Sequence, residues 1–272
     1  NGIGVKGADI IIEAVFEHLP TKQEIFKRVE EQAREDAIFA TNTSSIPLEQ
    51  ISTALTNPSR LIGIHFFNPV AKMPLVEIVK TEHTPDELIK QAAAFVKQIG
   101  RSPLAVLSRP GFLVNRLLMP YLNEAMQLFE EGVPKETIDQ AALSFGMPMG
   151  PIELADKVGL DICLSVANNL ASHFGSTVST KLEDMVKQGL LGVKSKEGFY
   201  RYNAKGLPIK NGISSEANQK YKDVTDRMIL VMLNEAVACL HEGVVTDTQL
   251  LDAGMIFGTG FAPFRGGPIQ YA

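Results

Sequence analysis

A chain of 272 residues can bury a large core and usually forms one or two domains. Hydrophobic residues make up 45% and charged residues 21%, which is typical of a folded globular protein rather than a disordered one. The net charge of -5 argues against nucleic acid as the main partner. No apolar run approaches the roughly 20 residues that span a bilayer, so no transmembrane segment is predicted.

The two cysteines, Cys163 and Cys239, are far apart in the sequence. They show no CxxC spacing, so neither a disulfide scaffold nor a metal site is predicted. Cysteine usage of this kind is typical of a reducing compartment. We therefore expect the protein in the cytoplasm, or in an organelle matrix if its source is eukaryotic.

Strands alternating with helices are predicted along the first part of the chain. The apolar run at 8–16 predicts a strand covered on both faces, as in a parallel sheet. The segment 19–35 predicts a helix, with Thr21 and Glu24 as a capping box. Further strands are predicted at 37–42, 60–67, 75–80 and 102–108, and further helices at 43–55 and 84–100, the last ended by Gly100. This alternation predicts an α/β domain over residues 1–107.

From Pro110 onwards the pattern is helical, and the RPG segment at 109–111 predicts a domain boundary. An internal repeat follows, because NRLLMPYLNEAMQLFEEGV from Asn115 returns as DRMILVMLNEAVACLHEGV from Asp226. FGMPMGP likewise returns as FGTGFAPFRGGP. We therefore predict two related helical units, at 108–205 and 214–272, the second of them truncated.

A histidine and a glutamate in this pattern are candidates for proton transfer. His65 is predicted at the carboxyl end of the third strand, where open α/β sheets place their ligand sites. The Asn-Pro pair at 68–69 would turn the chain and return Glu77, on the next strand, to the side of His65. The carboxylate would orient the ring and make His65 a general base. A purely structural histidine–carboxylate pair is the alternative.

Other polar residues follow the predicted strands or open the long helix. Ser44 in TNTSSIP could cap a helix, offer its hydroxyl to a ligand, or do both. Glu17 and Lys22 follow the first strand, where a solvated surface position is the default expectation. Asn115 opens the long helix, and a satisfied interface amide is its alternative, while Arg116 is expected to pair with a carboxylate of a packed helix. We expect the candidate site residues to face one crevice at one end of the sheet.

The motifs EAVFE, TNTSS, GIHFFNPVAKMPLVEIV, PGFLVNR and GMPMGPIELAD resemble those of the L-3-hydroxyacyl-CoA dehydrogenases. The doubled helical unit and SKEGFYRY resemble the alpha subunits of multifunctional fatty-acid oxidation enzymes, in which an enoyl-CoA hydratase domain precedes the dehydrogenase. The resemblance runs through essentially the whole chain. It implies oxidation of L-3-hydroxyacyl-CoA to 3-ketoacyl-CoA in fatty-acid β-oxidation, with an acyl-CoA substrate, NAD as cofactor and a thiolase partner subunit. The resemblance implies that relatives with a single helical unit are homodimers built on that helical domain. Two fused units could therefore bury the same helical surface within one chain.

The resemblance also implies a role for each candidate residue. His65 falls on the catalytic base of the family, and Glu77 falls on the glutamate that orients it. Ser44 and Asn115 fall on the residues that position the oxygen of the substrate. The NAD contacts of the family fall on Glu17, Lys22, Ser44 and Asn68.

The family's opening strand, GxGxxG loop and helix, which hold the pyrophosphate, have no counterpart in this sequence. NGIGVKG at residues 1–7 lacks that spacing and predicts a loop. The predicted fold class is therefore α/β, an incomplete Rossmann-like NAD-binding domain without its first βαβ unit, followed by an all-α domain of two repeats. Because the chain opens at Asn1 rather than methionine, we expect a piece of a longer protein that by itself binds NAD weakly and turns over poorly or not at all.

Two other functions stay open. The chain could be a catalytically silent assembly module that docks a thiolase, although the joint presence of His65, Glu77, Ser44 and Asn115 disfavours this for the longer protein. It could also belong to an NAD-dependent dehydrogenase of a hydroxy acid without CoA. A screen of substrates with and without CoA would separate these functions.

Overall fold

The computed structural model describes residues 4–175, 178–212 and 223–272. The chain divides into two compact units, one of them formed by residues up to Leu113 together with Leu240–Leu250, the other by Val114–Cys239 with Leu251–Ala272. The first unit thus includes a short segment from late in the chain. Within that unit the backbone N–H of Leu107 donates to the carbonyl of Val244 at 2.8 Å. The predicted domain at 1–107 did not include this late segment.

A five-stranded sheet in the order β1-β2-β3-β4-β5 forms the centre of the first unit. Its strands are β1 (Ile10–Glu13), β2 (Ile38–Thr41), β3 (Leu61–Phe66), β4 (Leu75–Lys80) and β5 (Ser102–Leu107). The first three are parallel, β4 is antiparallel to β3, and β5 is parallel to β4. The carboxyl ends of β1, β2 and β3 therefore lie at the same end of the sheet, and β4 begins at that end. The predicted α/β fold class, a Rossmann-like domain followed by a mostly helical one, is confirmed.

Helices cover both faces of the sheet because its side chains alternate. The connecting helices are α1 (Leu19–Glu30), α2 (Leu48–Ser52) and α3 (Asp86–Gln98). Ile38 and Ala40 of β2 belong to the buried cluster that contains α3 side chains, whereas Phe39 packs with Phe26 of α1 and Ile51 of α2. Each large apolar side chain buried in this way stabilises the fold by roughly 1.5–3 kcal/mol.

The prediction for the first strand is wrong in length and in burial. β1 is only four residues long, not the nine of 8–16, and Ile12 on it is 37% exposed. The reason is its position, because β1 lies at the edge of the sheet and pairs only with β2. Near the start of the chain, Val5–Gly7 forms a 3-10 turn where a loop was predicted. Residues 1–3 lie outside the described part of the chain.

The predicted capping box at α1 is also wrong. The helix begins at Leu19, directly after His18, and no side chain caps its first turn. Thr21 lies inside the helix, where its Oγ1 contacts His18 Nδ1 at 2.8 Å. A proline in the first turn of a helix needs no amide hydrogen, so Pro20 fits this start. The predicted end of α3 is confirmed, because Gly100 follows that helix with a φ of 73°.

The second unit is mainly helical. Its helices are α4 (Val114–Glu130), α5 (Lys135–Phe145), α6 (Pro151–Val158), α7 (Leu160–Phe174), α8 (Thr180–Lys187), α9 (Val224–His241), α10 (Thr248–Thr259) and α11 (Pro268–Tyr271). A short hairpin of β6 (Arg201–Tyr202) and β7 (Pro208–Ile209) interrupts them, which the all-α prediction missed. Within the described ranges, no helix combines the length and apolar character that crossing a membrane requires.

Reciprocal ion pairs join the two repeats of this unit. Arg116 Nε on α4 lies 2.6 Å from Glu235 Oε1 on α9, and Arg227 Nε on α9 lies 2.6 Å from Glu124 Oε1 on α4. The repeat aligns Arg116 with Arg227 and Glu124 with Glu235. Contacts in which i meets j and j meets i are the signature of a two-fold interface. The two helices therefore pack as a pseudo-symmetric pair within one chain.

A second pair of equivalent residues explains the repeated Gly-Pro motif. Asp139 Oδ1 accepts the backbone N–H of the second residue of α6 at 2.9 Å, and Asp252 Oδ1 does the same at α11 at 2.7 Å. Gly150 and Gly267 precede these two helices. A Cβ on Gly150 would lie 2.2 Å from Asp139 Cγ, and one on Gly267 would lie 2.3 Å from Asp252 Cβ. Glycine is therefore required wherever the carboxylate approaches the start of the helix.

Candidate active site

His65 and Glu77 face each other directly across β3 and β4. His65 Nδ1 lies 2.7 Å from Glu77 Oε2, and the glutamate side chain is fully buried. The other carboxylate oxygen, Oε1, accepts the backbone N–H of Leu113 at 3.1 Å. Because an ionised carboxylate can only accept, a neutral His65 ring paired with it would carry its proton on Nδ1 and a lone pair on Nε2. The return of Glu77 to the side of His65 agrees with the expectation from the Asn-Pro turn.

The second ring nitrogen of His65 faces Ser44, which follows β2. Ser44 Oγ lies 3.1 Å from His65 Nε2. The histidine is only 3% exposed, and the rings of Phe67 and Phe112 pack edge-on against it with centroids at 4.6 and 5.5 Å. These contacts fix the ring plane. Nε2 is therefore the ring nitrogen that Glu77 does not occupy, and it faces Ser44.

A turn with left-handed backbone brings Leu113 to this pair. Gly111 has a φ of 75° and Phe112 a φ of 52°. A positive φ is uncommon for a residue other than glycine and costs of order 1–3 kcal/mol. In return, the turn directs the Leu113 amide at Glu77 and the Phe112 ring at His65. The sequence indicated a turn at Pro110, but nothing in it indicated the conformation of Phe112.

Lys22 is sealed inside the first unit, so its predicted solvated position is wrong. Its side chain is 0% exposed, and Nζ lies 2.9 Å from Glu13 Oε1 and 3.4 Å from Glu17 Oε2. Thr41 Oγ1 also donates to Glu13, at 2.7 Å. A buried ammonium needs such a counter-ion because its desolvation is costly. Glu17, with a side chain that is 26% exposed, is the only partly open member of this group.

The remaining predicted residues are distributed over both units. Asn68 is exposed in the turn after β3, at the end of the sheet where β1 and β2 also finish. Asn115 is the second residue of α4 and belongs to the second unit, so its role stays a prediction. Arg116 pairs with Glu235, which confirms the expectation of a helix-packing carboxylate.

Sequence reasoning missed several residues that build the site. Glu13 holds Lys22, Asn42 Oδ1 accepts the backbone N–H of Phe66 at 2.8 Å, and Leu113 holds Glu77. A signal for Glu13 existed, because a carboxylate inside the apolar run IIIEAVF needs a partner. The amide of Leu113 offered no signal, since any residue type carries one.

The residues at the carboxyl ends of the parallel strands partly fit an NAD cofactor. Glu17, Ser44 and Asn68 lie where the parallel strands end, and each has an exposed or half-exposed portion that a ligand could reach. Lys22 does not fit as a direct contact, because its side chain is fully buried. In residues 4–175, 178–212 and 223–272, no group of three or more His, Cys, Asp or Glu side chains is arranged to hold a metal ion.

A Rossmann-like sheet with a histidine–carboxylate pair at the carboxyl ends of its strands, followed along the chain by a helical domain, is typical of two-domain nicotinamide-dependent dehydrogenases. A family model described as the NAD-binding domain of 3-hydroxyacyl-CoA dehydrogenase matches residues 3–109. The model of the C-terminal domain of the same enzyme matches residues 111–202. The chain belongs to the 3-hydroxyacyl-CoA dehydrogenase family.

Individual relatives agree with this assignment. The fatty acid oxidation complex subunit alpha of Shewanella baltica is 41% identical over 98% of this chain, and the chain spans only 40% of that relative. The solved (S)-3-hydroxybutyryl-CoA dehydrogenase of Ralstonia eutropha is 38% identical, with a TM-score of 0.71 over 75% of this chain and 74% of that one. The 3-hydroxybutyryl-CoA dehydrogenase of Escherichia coli is 26% identical, with a TM-score of 0.83 over 98% of this chain and 75% of that one.

Proposed function

We propose that the protein carrying this chain oxidises L-3-hydroxyacyl-CoA to 3-ketoacyl-CoA with NAD, as a step of fatty-acid β-oxidation. The observation that carries the proposal is the hydrogen-bonded series Ser44–His65–Glu77, with contacts of 3.1 and 2.7 Å. Family membership supplies the substrate class. The fully buried Glu77 supports proton transfer by His65, because it fixes which ring nitrogen carries the proton.

The roles of the residues follow from these contacts. Glu77 keeps the proton on Nδ1, so Nε2 of His65 is the base that takes the proton of the substrate's 3-hydroxyl as C3 is oxidised. Positive charge then develops on the ring, and the Glu77 carboxylate stabilises it. Ser44 hydrogen-bonds the same oxygen from the side of Nε2. The bound cofactor supplies the hydride acceptor. The predicted contribution of Asn115 to holding this oxygen remains part of the proposal.

The test is the reduction of acetoacetyl-CoA by NADH, followed by absorbance, with the full-length protein that contains these residues. We expect His65→Gln to lower kcat by about 10²- to 10⁴-fold, which is the usual contribution of a general base. The matched control is His83→Gln, since His83 is exposed after β4 and should leave kcat unchanged. Equal activity of the two variants would exclude His65 as the base.

The same assay separates the alternatives. Turnover of hydroxy acids that lack CoA, with an efficiency equal to that of the thioesters, would favour a dehydrogenase of a different substrate class. No turnover of either class by the full-length protein would favour a silent assembly module. The short chain itself is expected to turn over poorly or not at all, so turnover of acetoacetyl-CoA by these 272 residues near the rate of an intact enzyme would contradict that expectation.

We further propose that the protein works in a β-oxidation complex with a thiolase subunit and that the longer protein also carries enoyl-CoA hydratase activity. The first part is supported by relatives named as alpha subunits of a fatty acid oxidation complex. A reducing compartment, the cytoplasm or an organelle matrix, is supported by two buried free cysteines, Cys163 and Cys239. Co-purification of a thiolase with the protein from its own cells would test the partner.

A further inference from the structure

One carboxylate oxygen organises the turn after β2. Glu17 Oε1 accepts the hydroxyl of Thr43 at 2.6 Å and the backbone N–H groups of Ser44 and Ser45 at 2.8 Å each. It also accepts the hydroxyl of Ser45 at 3.1 Å and the N–H of Ile46 at 3.4 Å. Four consecutive residues of the turn thus converge on one atom that lies about 26 positions earlier in the chain. The conformation of the turn depends on that atom.

The other oxygen of Glu17 is held from behind by a buried charge. Oε2 lies 3.4 Å from Lys22 Nζ, which also donates to both oxygens of Glu13, at 2.9 and 3.0 Å. Burial opposes ionisation of Glu17, but the hydrogen bond from Thr43, the charge of Lys22 and the backbone amides of the turn outweigh it, so the pKa of Glu17 is lowered. Glu17 is therefore a charged anchor whose direction Lys22 and Glu13 fix.

The anchored turn ends in the contact with the proposed base. The N–H of Ser44 is bound to Glu17, and the hydroxyl of the same residue lies 3.1 Å from His65 Nε2. We propose that Glu17 is a positioning residue that holds the Ser44 hydroxyl against His65, with Lys22 holding Glu17 on its other side. This inference rests on the proposed function.

The expected effect lies in turnover rather than in cofactor affinity. Without its anchor, the turn loses its shared acceptor, and the Ser44 hydroxyl moves relative to Nε2. A displacement of about 1 Å at a catalytic group costs roughly 10²-fold in rate. A residue that only contacts NAD would instead raise KM for the cofactor. The split between kcat and KM therefore separates positioning from cofactor binding.

A double-mutant cycle between Glu17 and Ser44 tests the inference in the full-length protein. We expect Glu17→Ala to lower kcat by about 10- to 100-fold with KM for NADH changed less than about twofold. In a Ser44→Ala background, the same substitution should cost less than about twofold, because the group that it positions is already absent. Additive losses, or a raised KM for NADH that persists without the Ser44 hydroxyl, would overturn the inference.

Two further variants, in which a glutamine replaces a glutamate of the same side-chain length, complete the design. Glu17→Gln keeps one acceptor oxygen for the turn, so it should retain more turnover than Glu17→Ala. Glu24→Gln is the matched control, since Glu24 lies exposed on α1, the helix that follows Glu17 in the chain, and its kcat should equal that of the unchanged protein. Equal losses in both Glu17 variants, or a loss in the control, would contradict a role through the accepted hydrogen bonds.

A second readout does not depend on activity. In the 272-residue chain, the nitrogen resonances of the His65 ring should shift in Glu17→Ala in the same direction as in Ser44→Ala, because both variants disturb the contact to Nε2. An unshifted ring in a folded Glu17 variant would refute positioning even if the protein proves to be an active dehydrogenase. A shifted ring in a protein without dehydrogenase activity would support positioning while the proposed function fails.

Discussion

Glu77 satisfies two donors at once, and this makes Glu77→Gln a sharp perturbation. Its two oxygens accept His65 Nδ1–H at 2.7 Å and the Leu113 N–H at 3.1 Å. A glutamine of the same size has only one acceptor oxygen, so its NH₂ group must face one of the two donors. A buried donor left without an acceptor costs about 1–3 kcal/mol. We expect Glu77→Gln to lower the free energy of unfolding by that amount.

The effect on turnover is larger, because the substitution removes the charge that stabilises the protonated ring. Two opposite charges near 4 Å interact by about 4 kcal/mol at an effective dielectric constant of 20. Since each 1.4 kcal/mol corresponds to about a tenfold change in rate, kcat should fall by about 10²- to 10³-fold. The substrate does not contact Glu77, which is fully buried, so KM should change little.

The assay pairs acetoacetyl-CoA reduction by NADH with urea unfolding followed by circular dichroism. Glu87→Gln is the matched control, because the side chain of Glu87 is 70% exposed on α3. The control should keep the unchanged protein's kcat and midpoint of unfolding. A folded Glu77→Gln variant with kcat within about threefold of the unchanged protein would refute the assignment of Glu77 as the group that orients and stabilises His65.

Two predictions concern the helical unit. Burial, opposed by hydrogen bonds and by Lys210, raises the pKa of Asp139 from 3.8 to about 6. The folded chain then holds a proton that the unfolded chain releases, so the free energy of unfolding should fall by roughly 3 kcal/mol as pH rises from about 4 to above 6. Asp139→Asn should lack this loss. If the free energies of the two proteins in urea unfolding differ by the same amount at every pH, the prediction is wrong. For the ion pair of Arg116 with Glu235, a double-alanine cycle should show a coupling of about 0.5–3 kcal/mol in urea unfolding, and strict additivity would exclude it.

The sequence predicts best what depends on neighbours in the chain. The strands at 60–67 and 75–80 come within one residue of β3 and β4, because apolar runs bounded by a Pro-containing turn are local signals. The meeting of His65 and Glu77 is of the same kind. A turn at 68–69 forces antiparallel return, and the two-residue period of a strand then places both side chains on one face.

Features that depend on distant segments escape this reasoning. The sequence predicts Lys22 at the surface. Its burial escapes prediction because it requires Glu13 on β1 and the first turn of α1 to face the same side. The length of β1 escapes as well, since an edge position in the sheet is a property of all five strands. The roles of Asn115 and Asn68 rest on family resemblance alone, and no local pattern would have assigned them.

Carboxylates that accept backbone amides and lie near a lysine recur in both units, but their pKa values shift in opposite directions. Glu17 has Lys22 at 3.4 Å with no exposure of that lysine, and its pKa is lowered. Asp139 lies 3.8 Å from Lys210, a cation that Glu153 holds more closely at 2.6 Å, and burial raises the pKa of Asp139. At Glu17 the Thr43 hydroxyl, the charge of Lys22 and the backbone amides of the turn together outweigh burial, whereas at Asp139 burial outweighs the hydrogen bonds and Lys210. Because the pKa of Glu17 is lowered, Glu17 stays charged at the pH where Asp139 takes up a proton, so mild acid should loosen neither Ser44 nor its turn through Glu17.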